Sequence, residues 1–360
     1  MIQNVNDLQT DAEFLSLLER LSAESAELEQ RGGWPERSWN LLADHGVTGW
    51  FLPEEYGGTS KPADIRQAAY LEMAAACLTT TFIFTQRNAA VARILLSENE
   101  PLKDDLARQL AANDIFATVG ISHLTTSRQH VATPVVQAIP AENGWRLNGE
   151  IPWVTGAPAA DVIVTGGVQP DGMQVLVALE TSAEGVQVQA PPGLLALNES
   201  QTASVSLKDV EIPAEKLLLG PHENVLAAGG AGGVTTSALA LGSAQKSIHG
   251  INKEAEKRPD LEPTVSELDQ TLSELRTEML RIINAGVPPS AEERESLRKQ
   301  SNSLVLRSAQ AYLTASKGAG FLAGHPASRA VREAQFFLVW SCPQNVMNAA
   351  LAEFACPPSV

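Results

Sequence analysis

The sequence predicts an α+β chain in three parts: an N-terminal α-helical domain, a middle antiparallel β-sandwich or barrel, and a C-terminal four-helix bundle. Apolar residues recur at helical spacings over residues 1–115. Over 116–222 the pattern changes to short runs of alternating, β-branched residues separated by Gly, Pro and Asn. Over 223–360 the helical period returns. A chain of 360 residues is long enough for two or three such domains.

The elements follow in order. Leu8, Phe14, Leu15, Leu17, Leu18, Leu21 and Leu28 mark a first helix ended by Gly32, Gly33 and Pro35. A second, Arg37 to His45, closes at Gly46, where a left-handed C-cap is expected. From Ile65 to Leu96 the chain is apolar on nearly all sides, as a core helix is, interrupted by Thr85, Gln86, Arg87 and Asn88. Leu102 to Ala111 gives one more amphipathic helix. In the last part, Val265, Leu268, Leu272, Leu275, Met279 and Ile282 keep a three-four spacing that reads as a bundle seam. Ser290 and Glu293 form a capping box for the helix that follows, and two short helices complete four or five.

A net charge of -16 opposes binding to nucleic acid or to an anionic membrane, both of which repel an acidic surface. Cys77, Cys342 and Cys356 are far apart and show no C-x-x-C spacing, so neither a metal site nor a disulfide framework is expected. A reducing, cytoplasmic setting fits this usage. No window approaches the roughly 20 apolar residues of a membrane span, and the N-terminus lacks the pattern of a secretion signal.

The most informative stretch is Gly144 to Gly167, GWRLNGEIPWVTGAPAADVIVTGG. It reads as a strand, a turn at Asn148-Gly149, a strand containing Ile151, Trp153 and Thr155, and a third strand over Val162 to Val164. Alternation places Ile151, Trp153 and Thr155 on one face, an aromatic ring beside a hydroxyl, which suits a flat ring with polar edges. An ordinary sheet edge with a buried Trp is the competing reading.

Five stretches carry a resemblance to the acyl-CoA dehydrogenase family of flavoproteins. They are LPEEYGG (Leu52 to Gly58), LNG-x3-WVTGAPAAD (Leu147 to Asp161), LKDVEIPAEKLLLG (Leu207 to Gly220), ALALGSAQ (Ala238 to Gln245) and GAGFLAGHPASRAVREA (Gly318 to Ala334), in family order across the whole chain. The resemblance implies FAD as cofactor, with Trp153 packed on the flavin ring and Thr155 bonded to its N5 edge. In place of the family's T-E-P-x-x-G-S-D this chain has ISHLTTSRQH, with Ser122 the nearest match and Thr125 and Thr126 as substitute donors. Arg258 stands where a neighbouring subunit's R-x-x-F-G reaches the FAD diphosphate, but Leu261 and Glu262 replace Phe and Gly. Gly318 and Gly320 match a later Gly-rich segment that lets the backbone approach the cofactor closely. The resemblance also implies a homodimer or homotetramer, a small acyl substrate such as a CoA thioester, and an electron-transfer flavoprotein or a flavin reductase as redox partner.

The family's catalytic glutamate is absent. Counting ten residues with Arg332 as the first brings its position to Ser341, and the alternative position on the bundle's first helix falls near Gly232 and Gly233. Serine without activation is a poor base. His123 and His325 are the substitutes, since each can titrate near neutrality, and Cys342 is a third candidate as a nucleophile. Three functions fit: an FAD-dependent dehydrogenase of acyl groups, a flavin-dependent monooxygenase needing no carboxylate base, and a non-catalytic degenerate paralogue.

Overall fold

A computed structural model describes residues 2–124, 134–227 and 233–355. Its first part is helical: α1 (Ala12–Arg31), α2 (Glu36–Asp44), α3 (Ala63–Ala76), α4 (Leu78–Leu95) and α5 (Glu100–Ala112). The Asp11 side chain accepts from the Phe14 N–H to start α1, and Gly32 ends it at φ 68°. The long apolar run is two helices, because Cys77 takes an extended conformation between α3 and α4 (φ -149°, ψ 99°). The polar cluster does not interrupt α4. Arg87, 1% exposed, donates from Nη1 to the Thr48 carbonyl at 2.7 Å and from Nη2 to the Leu110 carbonyl at 2.7 Å. Burial lowers its pKa to about 10, and the carbonyls satisfy it in place of a counter-ion.

The middle part is one eight-stranded sheet in the order β6-β7-β3-β2-β4-β5-β8, with β1 paired to β4. Its strands are β1 (Ala117–Gly120), β2 (Val136–Ala141), β3 (Gly144–Val154), β4 (Val162–Val168), β5 (Gln174–Glu180), β6 (Val186–Val188), β7 (Ala203–Pro213) and β8 (Leu217–His222). Most neighbours are antiparallel, but β4 pairs parallel with both β1 and β2, so the sheet is mixed. The inner face buries Leu147, Ile151, Val154, Ile163, Val177 and Val205 in one cluster.

Asn148-Gly149 is not the hairpin turn. The turn lies at Glu142 and Asn143, since Ala141 pairs with Gly144, and β3 runs straight through Asn148 and Gly149 with a register shift against β7. A Cβ on Gly149, at φ +133°, would lie 2.1 Å from the Val135 carbonyl oxygen, so the glycine is there for close backbone approach. A second register shift falls between Ile151 and Val154. It breaks the simple alternation: Ile151 and Val154 are buried, Trp153 is 54% exposed and Thr155 is 4% exposed. Ile151, Trp153 and Thr155 therefore do not share one face.

The last part contains α6 (Gly233–Ala255), α7 (Glu262–Ile283), α8 (Ala291–Ala315), α9 (Pro326–Ala334), α10 (Phe336–Val339) and α11 (Gln344–Ala355). Leu268, Leu272, Leu275, Met279 and Ile282 are buried along α7, as the spacing requires. The capping box is present: Ser290 accepts from the Glu293 N–H, and the Glu293 carboxylate accepts from the Ser290 N–H. Ala68, Leu71 and Ala74 of α3 share a core with Ala238, Leu241 and Ala244 of α6, joining the first helices to the bundle. Among the described residues no helix is long and apolar enough to cross a membrane.

Candidate cofactor site

Thr155 lies just beyond β3, fixed by hydroxyls from two other strand regions. Its carbonyl accepts from Thr118 Oγ1 at 2.8 Å, and its Oγ1 accepts from Thr202 Oγ1 at 3.2 Å. Thr202 in turn shares a hydroxyl hydrogen bond with Ser200 at 2.8 Å. As the acceptor from Thr202, Thr155 keeps its own hydroxyl hydrogen for a further partner. Of the six tryptophans only Trp153 is more than half exposed, at 54%. A large indole left in water two residues from a hydrogen-bonded hydroxyl fits the ring of a flavin, which offers an apolar face and polar edges.

The neighbouring loop is described only in part. Ser122 opens a short 3-10 turn, Ser122–Leu124. His123 within it is buried, its Nε2 2.9 Å from the Gly166 carbonyl oxygen, a bond that ties the turn to β4. Thr125 and Thr126 lie outside the described residues.

At the far end of the bundle, Arg258 donates from Nη1 to the Ala315 carbonyl at 2.7 Å and pairs with Asp260 at 3.6 Å. A cation on the last carbonyls of α8 is a favourable helix-end contact, so part of this guanidinium serves its own chain. Gly318 and Gly320 share a short 3-10 turn, Lys317–Phe321, and differ in kind. A Cβ on Gly320 would stand 2.8 Å from Ser316 Cβ, so internal packing requires that glycine. A Cβ on Gly318 would meet nothing within 4 Å. Only at Gly318 does internal packing leave room for another reason.

Ser341, in the loop between α10 and α11, is exposed and held at φ 44°, a left-handed conformation unusual for serine. The residue before it is anchored from α8: Arg298 Nη2 donates to the Trp340 carbonyl at 2.8 Å, and Asn302 Nδ2 donates to the Phe337 carbonyl at 2.9 Å. Arg298 is 3% exposed, and burial lowers its pKa to about 10. Burial pushes the Cys342 thiol up, against the field of Arg298, which does not favour a nucleophilic thiolate. His325 caps α9, its Nδ1 accepting from the Ala327 N–H at 3.1 Å. Gly233 opens α6, and Gly232 and Cys356 lie outside the described residues.

Sequence reasoning missed Arg298, Asn302 and Thr202. The first two had a faint signal: Arg298, Ser301 and Asn302 share a face of α8 with the buried Val305 and Ala309. Among the described residues no group of three or more His, Cys, Asp or Glu could hold a metal ion.

Comparisons with known proteins agree with this architecture. Residues 13–114 match the family model described as acyl-CoA dehydrogenase, N-terminal domain. A probable acyl-CoA dehydrogenase of Bacillus subtilis, YngJ, is 26% identical over 248 residues, covering 66% of this chain and 65% of that protein. A dibenzothiophene monooxygenase of Rhodococcus erythropolis is 26% identical over 219 residues, covering 59% of this chain and 51% of that one. The aligned part thus spans less than two thirds of either relative. Butyryl-CoA dehydrogenase from Megasphaera elsdenii has the same fold, with a TM-score of 0.84 at 18% identity over 98% of this chain and 100% of that one. The chain is thus similar in its first helical region to the N-terminal domain of acyl-CoA dehydrogenases, and it shares the fold of such an enzyme over nearly its whole length.

Proposed function

We propose that the protein is an FAD-dependent oxidoreductase of the acyl-CoA dehydrogenase type, acting on an acyl thioester or a related small acyl substrate. The observation that carries this reading is the exposed Trp153 two residues before Thr155, whose hydroxyl accepts from Thr202. Trp153 would lie against the flavin ring and Thr155 at its polar edge, with Ser122 contributing from the 3-10 turn that follows β1. Gly318, Gly320 and Arg258 would serve the diphosphate of a neighbouring subunit's FAD. When bound, FAD supplies a two-electron acceptor. An electron-transfer flavoprotein or a flavin reductase would be the redox partner. The free thiols of Cys77 and Cys342 are in keeping with a cytoplasmic setting.

One observation favours a second reading, a flavin-dependent monooxygenase. Where a dehydrogenase needs a carboxylate, this chain has Ser341, and the carbonyl of the preceding residue, Trp340, is bonded by the cation of Arg298. Neither group accepts a proton near neutrality.

The visible spectrum of the purified protein tests the common part. Bound oxidised flavin is expected, and colourless protein whose melting temperature does not rise with FAD would refute both readings. Ser341→Glu then separates them. If the protein is a dehydrogenase in which the base is lost, the variant should speed anaerobic flavin reduction by an acyl-CoA about 100-fold or more. No bleaching in either protein, with oxygen-dependent product formation once reduced flavin is supplied, would establish the monooxygenase.

A further inference from the structure

The segment that carries Ser341 is walled by aromatic rings from two helices and the loop between α10 and α11. Phe336 and Trp340 stack with centroids 4.9 Å apart and planes 16° apart. Phe82, from α4, meets both edge-on, at 4.8 Å from Phe336 and 5.0 Å from Trp340. Phe82 is buried, while Phe336 and Trp340 are partly exposed. On the α8 side, three buried atoms have no hydrogen-bond partner among the described residues: Arg298 Nε, Ser301 Oγ and Asn302 Oδ1. The other ends of Arg298 and Asn302 are committed to the carbonyls of Trp340 and Phe337. A buried guanidinium N–H left unpaired is costly, and no carboxylate forms an ion pair with Arg298 among the described residues.

We propose that the surface beside Ser341 binds a compact, ring-bearing acid or acyl group, aromatic or alicyclic, with its ring on Trp340 and Phe336 and a carboxyl or carbonyl oxygen on Arg298. The proposal rests on the reading above that Ser341 stands at the reacting carbon. A ring extends the existing stack, since aromatic faces accept another flat or cyclic group without rearrangement. An extended alkyl chain gains no such stacking. Arg298 Nε lies below this surface, so the ligand oxygen must reach inward beside the ring to complete that unmet hydrogen bond.

Benzoate, cyclohexanecarboxylate and hexanoate carry the same charge and separate ring from chain. Their binding to the intact protein is measured by calorimetry or ligand-observed NMR, with flavin content recorded from the visible spectrum. Both ring acids should bind about tenfold or more tightly than hexanoate, and Trp340→Leu should abolish that ratio. Benzoate should also bind more tightly than benzyl alcohol to the unaltered protein, a comparison that needs no arginine variant. Equal or tighter binding of hexanoate, or a ring preference that survives in Trp340→Leu, would overturn the assignment. Equal binding of benzoate and benzyl alcohol would overturn the part given to Arg298. Colourless protein that still prefers rings would sink the flavin reading and support this one; flavin-loaded protein without the preference would do the reverse.

Discussion

Glu333 is 3% exposed and still ionised, because its neighbours compensate for the desolvation. Burial alone would raise its pKa, but Lys246 from α6 and Arg329 and Arg332 from α9 bring it below the ordinary 4.5. Arg329 Nε donates to it at 2.6 Å. Glu29 of α1 also pairs with Arg329, at 3.7 Å. Glu199, buried in the 3-10 turn Asn198–Ser200, faces the same network and shifts the opposite way, its pKa raised chiefly by desolvation. Since the folded pKa of Glu333 is depressed, its stabilising contribution is complete above pH 4.5 and is lost as the pH falls through the folded value. Glu333→Gln leaves Arg329 buried without its closest anion and should cost about 3 to 5 kcal/mol at pH 7. Urea melts at pH 7 and pH 4 check this: the gap between wild type and variant should shrink at the lower pH, and an equal gap at both would contradict the sign. Sequence showed Arg332-Glu333-Ala334 only as a family marker from which to count to Ser341. Its role as an ion network needed α1 and α6 to pack against α9 from distant parts of the chain.

At the scale of an element, β3 shows how a correct local signal can name the wrong structure. Asn-Gly between alternating runs favours a two-residue hairpin, yet here strand pairing with β2 and β7 runs past it on both sides. The Asn148 side chain confirms the difference, accepting from the Asp209 N–H at 2.8 Å across the sheet, where a turn residue would bond locally. Gly149→Ala combines a strained φ of +133° with a Cβ 2.1 Å from a carbonyl oxygen, neither of which a side-chain rotation relieves. It should destabilise by about 3 kcal/mol or more. A thermal or urea melt showing less than about 1 kcal/mol would mean that the strand is free to shift at the bulge. By contrast, the seam of α7 and the cap of α8 were legible in full, because a helix's own spacing decides which side chains share a face.

For the whole molecule, the exposed apolar side chains bear on assembly. Met347, Leu351 and Phe354 of α11 recur at i, i+4 and i+7, all more than a third exposed, and Phe321 and Leu322 are exposed at 86% and 67%. These are more surface hydrophobics in register than a solvent-facing helix needs. They support the expectation of a homodimer or homotetramer. Light scattering at micromolar concentration should give a multiple of the 38.3 kDa chain, and a single-chain mass would refute it. Replacing Leu351 and Phe354 by Ser should shift the mass downward if α11 takes part.

The sequence by itself determined the order helix, sheet, helix, the seam and caps of the bundle, and the acidic charge, because each depends on residues close together in the chain. It also singled out Trp153 and Thr155 as neighbours in sequence, but not their exposures. Those follow from a register shift set by pairing with β7, where Val154 faces Ala203 from a distant part of the chain. Tertiary structure likewise decided that β4 pairs parallel with β1 and β2, that Arg87 is satisfied by carbonyls of Thr48 and Leu110, and that Arg298 anchors the segment of Ser341. Each of these joins groups far apart in sequence. A periodicity can say which face of an element is buried, but what it is buried against is fixed only when the elements pack.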